Sequence, residues 1–321
     1  MSKDIATAYH NLSVMLDAGM PILKSLNITT QGLSRGLKRG FSALTKSVSQ
    51  GNTIPEAMAK YPRVFAPLDL MLIEAADMSG NLPQSFNMLS QWYDFCNKIK
   101  MTILSGLMFP FAVLNVAALV IPLPALFLAK IGIASYVIMV IQILALFYIP
   151  AAIILIIFLY MPKAGIFRRG LDIITLKIPL LGQAVYHIAL SRYCRAFHML
   201  YKAGVPIIQC AQKSPAITGN SVVAALFEGA AQSAKNGNPV YEGFSRQLPP
   251  EFLNLWKIGE ETGKLEDVTK RLGDNAADTA QHLFEEFAKW LPKIVYFAVA
   301  AFMVFQILKG AAIISTAIPQ I

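Results

Sequence analysis

The stretch MTILSGLMFPFAVLNVAALVIPLPALFLA, residues 101–129, holds twenty-nine residues without a single charge. Crossing about 30 Å of hydrocarbon at about 1.5 Å per helical residue takes about 20 apolar residues, so this stretch is long enough to span a bilayer. Ile131 to Pro162 is equally free of charge. Lys130, with the short Ile131–Ser135 segment, reads as the turn between two spans. Leu291–Ile314 supplies a third, flanked by Lys293 and Lys309, whose ammonium groups can snorkel to the headgroups from near the helix ends.

Composition agrees. Of 321 residues 55% are hydrophobic and 15% charged, with a mean hydropathy of +0.51, more apolar than soluble domains run. The net charge of +9 is spread thinly. Residues 1–100 carry ten Lys/Arg against seven Asp/Glu, and residues 162–290 carry fifteen against twelve. Each polar block is only +3, without the concentrated basic face of a nucleic-acid binder. The first hundred residues hold no long apolar run, so no signal peptide is expected.

Basic residues at the span ends set a direction. Lys98 and Lys100 precede the first span, Lys163, Arg168 and Arg169 follow the second, and Lys289 and Lys293 precede the third; the opposite ends offer only Lys130 and Lys309. Both polar blocks are therefore expected in the cytoplasm, with the tail Ser315–Ile321 outside. The expected order is a cytoplasmic helical domain (1–97), a span (98–129), a returning span (135–162), a second cytoplasmic helical domain (163–288) and a third span (289–316). Pro110, Pro122, Pro124 and Pro150 read as kinks. Asn115, Gln142 and Gln306 read as interhelical hydrogen-bonding groups.

The polar blocks are written twice. Ala18-Gly19-Met20-Pro21-Ile22 recurs as Ala203-Gly204-Val205-Pro206-Ile207. Gly51 with Glu56 recurs as Gly237 with Glu242, Ser79-Gly80-Asn81-Leu82 as Thr262-Gly263-Lys264-Leu265, and Pro110 as Pro292. The separations are 185, 186, 183 and 182. Four matches in order at a nearly constant offset indicate a duplication. The returning span is then the connection a duplicated, outward-ending unit requires.

Each copy reads as a helical bundle, which makes the fold class all-α. Leu12, Met15 and Leu16 end a first helix that Gly19 caps, and Pro21 suits the first turn of the next. Leu37, Phe41, Leu44 and Val48 mark a third helix, stopped by Gly51. Thr53 with Glu56 is a capping box for a short fourth helix. Pro67–Asp77 makes a fifth and Pro83–Lys100 a sixth that runs into the first span. In the second copy Leu265, Val268, Leu272, Ala276, Leu283, Phe287, Trp290 and Ile294 form one stripe into the third span.

Nothing supplies chemistry. There is no Gly-x-x-x-x-Gly-Lys-Ser/Thr loop and no Gly-x-Ser-x-Gly elbow. His10, His187, His198 and His282 show no metal-ligand spacing, and His198 and His282 read as structural. Cys96, Cys194 and Cys210 form no CxxC pair and read as free thiols in a reducing compartment. No enzyme activity, cofactor or metal is expected.

The segment Gly259-Glu260-Glu261-Thr262-Gly263-Lys264-Leu265 resembles the G-E-x-[ST]-G-x-L signature of the inner-membrane platform proteins of type II secretion and type IV pilus systems. The Ala-Gly-x-Pro turns, the three spans and the duplication resemble the same family over nearly the whole chain. The resemblance implies a non-enzymatic platform in the bacterial inner membrane, self-associating and lipid-embedded. It would work with a cytoplasmic assembly ATPase, pilin or pseudopilin subunits and other inner-membrane assembly proteins. The first copy departs from the signature, reading Ala76-Asp77-Met78-Ser79-Gly80-Asn81-Leu82, and the short leading segment fits the pilus branch better than general secretion. A small transporter or channel is the alternative, disfavoured by the lack of a charge at any span centre.

The glycines of these motifs have a structural reading: Gly263 ends a helix, Leu265 begins packing the next and Thr262 caps locally. The acids Glu260 and Glu261 sit near a helix C-terminus, where negative charge opposes the dipole. That pair, with Asp77 in the first copy, is the candidate contact for a basic partner surface, a divalent cation being the alternative ligand.

Overall fold

Proline and glycine divide the chain at the points where the backbone must turn. A computed structural model describes residues 2–123, 132–160 and 166–317, and among them every regular element is helical. The turn expected around Lys130 lies outside the described residues, as do 161–165 and the final residues from 318 onward. The chain divides into two compact units. One comprises Met1–Met101 with Arg169–Gln281, the other Thr102–Arg168 with His282–Ile321.

In the first unit, α1 (Ser2–Asp17) is followed by a turn at Gly19, and α2 (Ile22–Gln31) begins directly after Pro21. Gly19 has φ +77° and Gly204 φ +84°, the left-handed conformation that spares glycine the Cβ clash of other residues. After α1 the amides of Gly19 and Met20 bond back to Leu16 and Met15, and Gly204 and Val205 repeat this on Tyr201 and Leu200. Gly51 and Gly237, like Gly80 and Gly263, share positive φ in the same paired fashion.

Helix α3 (Arg35–Ser49) buries Leu37, Phe41 and Leu44, the stripe expected from its spacing. Helix α4 (Ile54–Ala59) starts with the predicted box: the Thr53 amide donates to Glu56 Oε2 at 3.0 Å, and the Glu56 amide to Thr53 Oγ1 at 3.4 Å. Helix α5 (Pro67–Ser79) follows, then α6 (Leu82–Val120), which runs unbroken from the polar block into the apolar stretch.

After α7 (Ile133–Tyr160) come α8 (Ile166–Lys177), α9 (Leu181–Lys202), α10 (Ile207–Lys213), α11 (Ser221–Ala225), α12 (Ala230–Lys235), α13 (Pro250–Glu261) and α14 (Leu265–Ala317). Two 3-10 turns, Ser214–Ile217 and Val240–Gly243, interrupt the series.

The core of the first unit draws on both polar stretches. Tyr9, Phe41, Phe65 and Phe86 fill one part; Tyr193, Phe197, Phe227 and Trp256 fill another, all essentially inaccessible. Tyr193 stacks on Phe227 with ring centroids 3.6 Å apart, and Phe197 meets Trp256 edge-on at 4.9 Å. Each such side chain contributes about 1.5–3 kcal/mol by leaving water. Arg195 lies 4.1 Å over the Phe95 ring while pairing with Asp274 at 2.5 Å.

In the second unit, Asn115 Nδ2 donates to Tyr148 Oη at 2.6 Å and Tyr136 Oη to the Leu119 carbonyl at 2.8 Å. These bonds join α6 to α7, the interhelical role expected of Asn115. Among the described residues, α6 is the one helix long and apolar enough to cross a membrane, by length and composition.

The stripe on α14 departs from expectation beyond Ala276. Ala280 and Phe284 are buried, whereas Trp290 is exposed; Leu283 and Phe287 are half-buried. The buried positions from Ala276 on step by four residues, so the stripe advances differently from the spacing read off the apolar letters. His198 is structural as expected, its Nδ1 3.0 Å from the Glu266 carbonyl, while His282 is exposed.

Candidate functional site

The Gly259–Leu265 segment forms the turn from α13 to α14. Gly259 is buried, and a Cβ there would come within 2.9 Å of the Val268 side chain. The two helices approach this closely because position 259 has no side chain. Thr262 Oγ1 donates back to the Ile258 carbonyl at 2.6 Å, and Gly263, at φ +70°, reverses the chain. Leu265 is buried at the start of α14. Gly80 (φ +73°) likewise receives the chain from α5, and its amide bonds to the Ala76 carbonyl.

The acidic pair is split. Glu260 is half-buried, and its carboxylate accepts hydrogen bonds from two backbone amides, Val240 to Oε1 at 2.6 Å and Tyr241 to Oε2 at 3.2 Å. These amides open the 3-10 turn Val240–Gly243, which follows Pro239 and has no cap from its preceding side chain. Its counterpart 186 positions earlier is Ile54, the first residue of α4, which has its own cap in the Thr53–Glu56 box. Pro239, 186 positions after Thr53, has no side-chain acceptor to offer, and Glu260 supplies the acceptors.

Glu261 faces solvent. Its Oε1 lies 3.8 Å from Lys257 Nζ, and Lys257 reaches over the Tyr241 ring at 5.8 Å. Beside them an open groove of about 330 Å³ is lined by Tyr241, Phe244, Arg246 and Lys257 among others. The residues 183 positions before the pair are Asp77 and Met78, both exposed, Met78 at 87%. The glycine turns thus hold backbone geometry, while Glu261 and Asp77 are exposed acids beside them. Among the described residues no cluster of three His, Cys, Asp or Glu is placed to hold a metal.

One charged residue escaped the reading of the sequence. Asp69 is fully buried. It accepts from the Ala66 amide (2.9 Å), from Tyr9 Oη (3.1 Å) and from Tyr93 Oη (2.8 Å), so one carboxylate joins α1, α5 and α6. Burial pushes its carboxyl up to about 6, against the downward pull of the bonds from Tyr93, Ala66 and Tyr9. Its place three residues after Ala66, with Pro67 at the helix start, is a local capping signal. The tyrosines come from 60 and 24 residues away.

A family model described as Type II secretion system (T2SS), protein F matches residues 8–129 and again 193–308, about three-quarters of the chain. Similar curated proteins carry two kinds of name. The chain is 25% identical to the Type IV pilus assembly protein PilC of Pseudomonas aeruginosa, over 88% of this chain and 83% of that protein. It is 26% identical to the protein of the same name from Thermus thermophilus, over 85% and 72%. To the Type II secretion system protein F of Pseudomonas aeruginosa it is 22% identical, over 85% and 73%. The family model covers well over half of the chain, and the chain belongs to the type II secretion system protein F family.

Proposed function

We propose that this protein is a non-enzymatic platform in the bacterial inner membrane for assembly of type IV pili or type II secretion pseudopili. The family match in two stretches, 8–129 and 193–308, carries the reading, and the names of the similar proteins support both branches. In this reading the chain is a tandem duplication with three spans, both polar stretches in the cytoplasm and the C-terminus in the periplasm. The repeated separations and the paired positive-φ glycines support the duplication.

The platform couples a cytoplasmic assembly ATPase to pilin or pseudopilin subunits. Helices α6 and α14 each run without a break from polar into apolar sequence, so a push on their polar ends is carried along the helix itself. Glu261 and Asp77 are the contacts assigned to a basic motor surface; Glu260 holds the turn beside Glu261. Charge complementarity of this kind acts chiefly on encounter rate and specificity.

The test is affinity purification of the full chain from detergent-solubilised membranes. Recovery of one assembly ATPase, together with loss of fibre assembly when the gene is deleted and pilin still accumulates, is expected. Purified protein that passes solutes in liposomes and recovers no ATPase would overturn the reading in favour of a channel.

A further inference from the structure

Helix α8 has two unlike sides. At about 100° per residue, Asp172, Thr175 and Leu176 fall on one half of the circumference, and Arg169, Ile173, Ile174 and Lys177 on the other. Ile178, one residue past the helix end, extends the second side.

The first side is fixed. Asp172 is 4% exposed, and its Oδ2 accepts from the Ser221 amide at 2.8 Å and from Ser221 Oγ at 2.7 Å. Leu176 packs on the core of its unit, its carbonyl pressed so close to Gly182 that no side chain fits there. Leu180, held at φ +62°, makes the tight turn into α9. The helix cannot roll about its axis without breaking these contacts.

The second side is open. Ile173 is 41% exposed, Ile174 59% and Ile178 38%, and Arg169 and Lys177 are exposed beside them. Three β-branched aliphatics in one cluster are costly to leave in water. This side carries two cations and no acid, because the one acid of the helix is turned inward. Such a combination suits a surface that is apolar beneath and anionic on top. Chain length limits where that surface is: Ile166 follows Tyr160, the end of apolar α7, by six residues, at most about 20 Å of extended chain.

We propose that α8 lies on the membrane leaflet it adjoins. Ile173, Ile174 and Ile178 enter the boundary between headgroups and acyl chains, and Arg169 and Lys177 meet anionic phospholipid headgroups. The proposal rests on the reading of α7 as a span and adds a second, lateral attachment to lipid just beyond it. It gives the open side of α8 an occupant that the span alone does not.

Fluorescence quenching in proteoliposomes tests it. Single cysteines are placed in the full chain carrying Cys96→Ser, with Cys194 and Cys210 left in the core, by Ile174→Cys, by Ile141→Cys on α7 and by Asn254→Cys on α13. Each is labelled with an environment-sensitive dye. With phosphatidylglycerol present, the label at 174 is expected to be quenched by a lipid spin-labelled near its headgroup, the label at 141 by one spin-labelled deep in the chain, and the label at 254 by neither. Replacing phosphatidylglycerol by phosphatidylcholine should weaken quenching at 174 several-fold and leave 141 unchanged. A quenched 141 with an unquenched 174 overturns the proposal and leaves the span reading intact. Lack of quenching at 141 removes the span reading, and the proposal with it. Quenching at 174 that ignores lipid charge, or disulfide cross-linking between two copies of the unlabelled Ile174→Cys variant, overturns the assignment to anionic lipid.

Discussion

Glu260 Oε1 accepts a 2.6 Å hydrogen bond from the amide of Val240, twenty residues earlier in the chain. The bond joins the C-terminal turn of α13 to the start of the 3-10 turn Val240–Gly243. It answers a need that arises when two amides begin a helical turn behind a proline with no acceptor to offer. At the start of α4 the same need is met locally by Thr53 and Glu56. Asp77, 183 positions before Glu260 in the sequence, is exposed.

The first prediction separates the two glutamates. Glu260→Ala leaves two amides without their acceptor and should lower the stability of the detergent-solubilised chain by about 1–2 kcal/mol. Glu261→Lys alters an exposed charge and should stay within about 0.5 kcal/mol, while weakening recovery of the assembly ATPase. Both are read by thermal melting beside co-purification. Full recovery of the ATPase with Glu261→Lys would remove that residue from the contact.

The second concerns the paired turns. Gly19 and Gly204 have open space where a Cβ would sit, so any cost of substitution comes from the backbone alone. Gly19→Val and Gly204→Val should each destabilise by about 1–3 kcal/mol, and Gly→Ala by less. Valine variants that melt with the natural chain would mean that the turns adopt negative φ in solution.

Local signals in the sequence were legible. Thr53 and Glu56 marked α4, Pro67 opened α5, and the spacing Leu37, Phe41, Leu44 marked α3, because capping and amphipathicity act within a few residues. The acidic pair at 260–261 was visible as a pair, but its division into one structural and one exposed member was not. That division depends on Pro239, which lies far away in sequence and next to it in the fold. Asp69 was passed over for the same reason, since its role depends on Tyr9 and Tyr93. The phase of the stripe on α14 after Ala276 is set by which neighbours are present to cover each face, and apolar letters alone do not carry this.

The third prediction is a pH dependence. Asp69 titrates at about 6 in the folded chain against about 3.9 unfolded, so the folded state holds its proton more tightly. Its charged form is therefore a cost, absent below about pH 4 and complete above about pH 6. Through that window stability should fall as pH rises, by on the order of 3 kcal/mol from this group. Asp69→Asn should flatten the window relative to the natural chain. Tyr93→Phe removes a bond that holds the carboxyl down and should move the window upward. Denaturant midpoints measured from pH 4 to 7.5 check both, and parallel curves for Asp69→Asn and the natural chain would show that Asp69 is not the group responsible.

The last prediction concerns sidedness, where the fold changes how the question must be asked. Basic residues gather at one end of each apolar stretch, Lys98 and Lys100, Lys163, Arg168 and Arg169, Lys289 and Lys293, which argues for both polar stretches in the cytoplasm. The natural thiols look like ready probes of this, but they are not. Cys194 and Cys210 are wholly inaccessible and Cys96 is half-buried. Burial also raises their thiols, Cys210 to about 12, so little reactive thiolate forms at neutral pH. Their silence toward an impermeant maleimide would follow on either side of the membrane. Other positions are needed: Lys235→Cys at the exposed end of α12 and Ser315→Cys, which follows the third apolar stretch in the sequence. In intact spheroplasts Ser315→Cys should label and Lys235→Cys should not; after permeabilisation both should. Labelling of Lys235→Cys in sealed cells would invert the orientation and take Glu261 and Asp77 out of reach of a cytoplasmic motor.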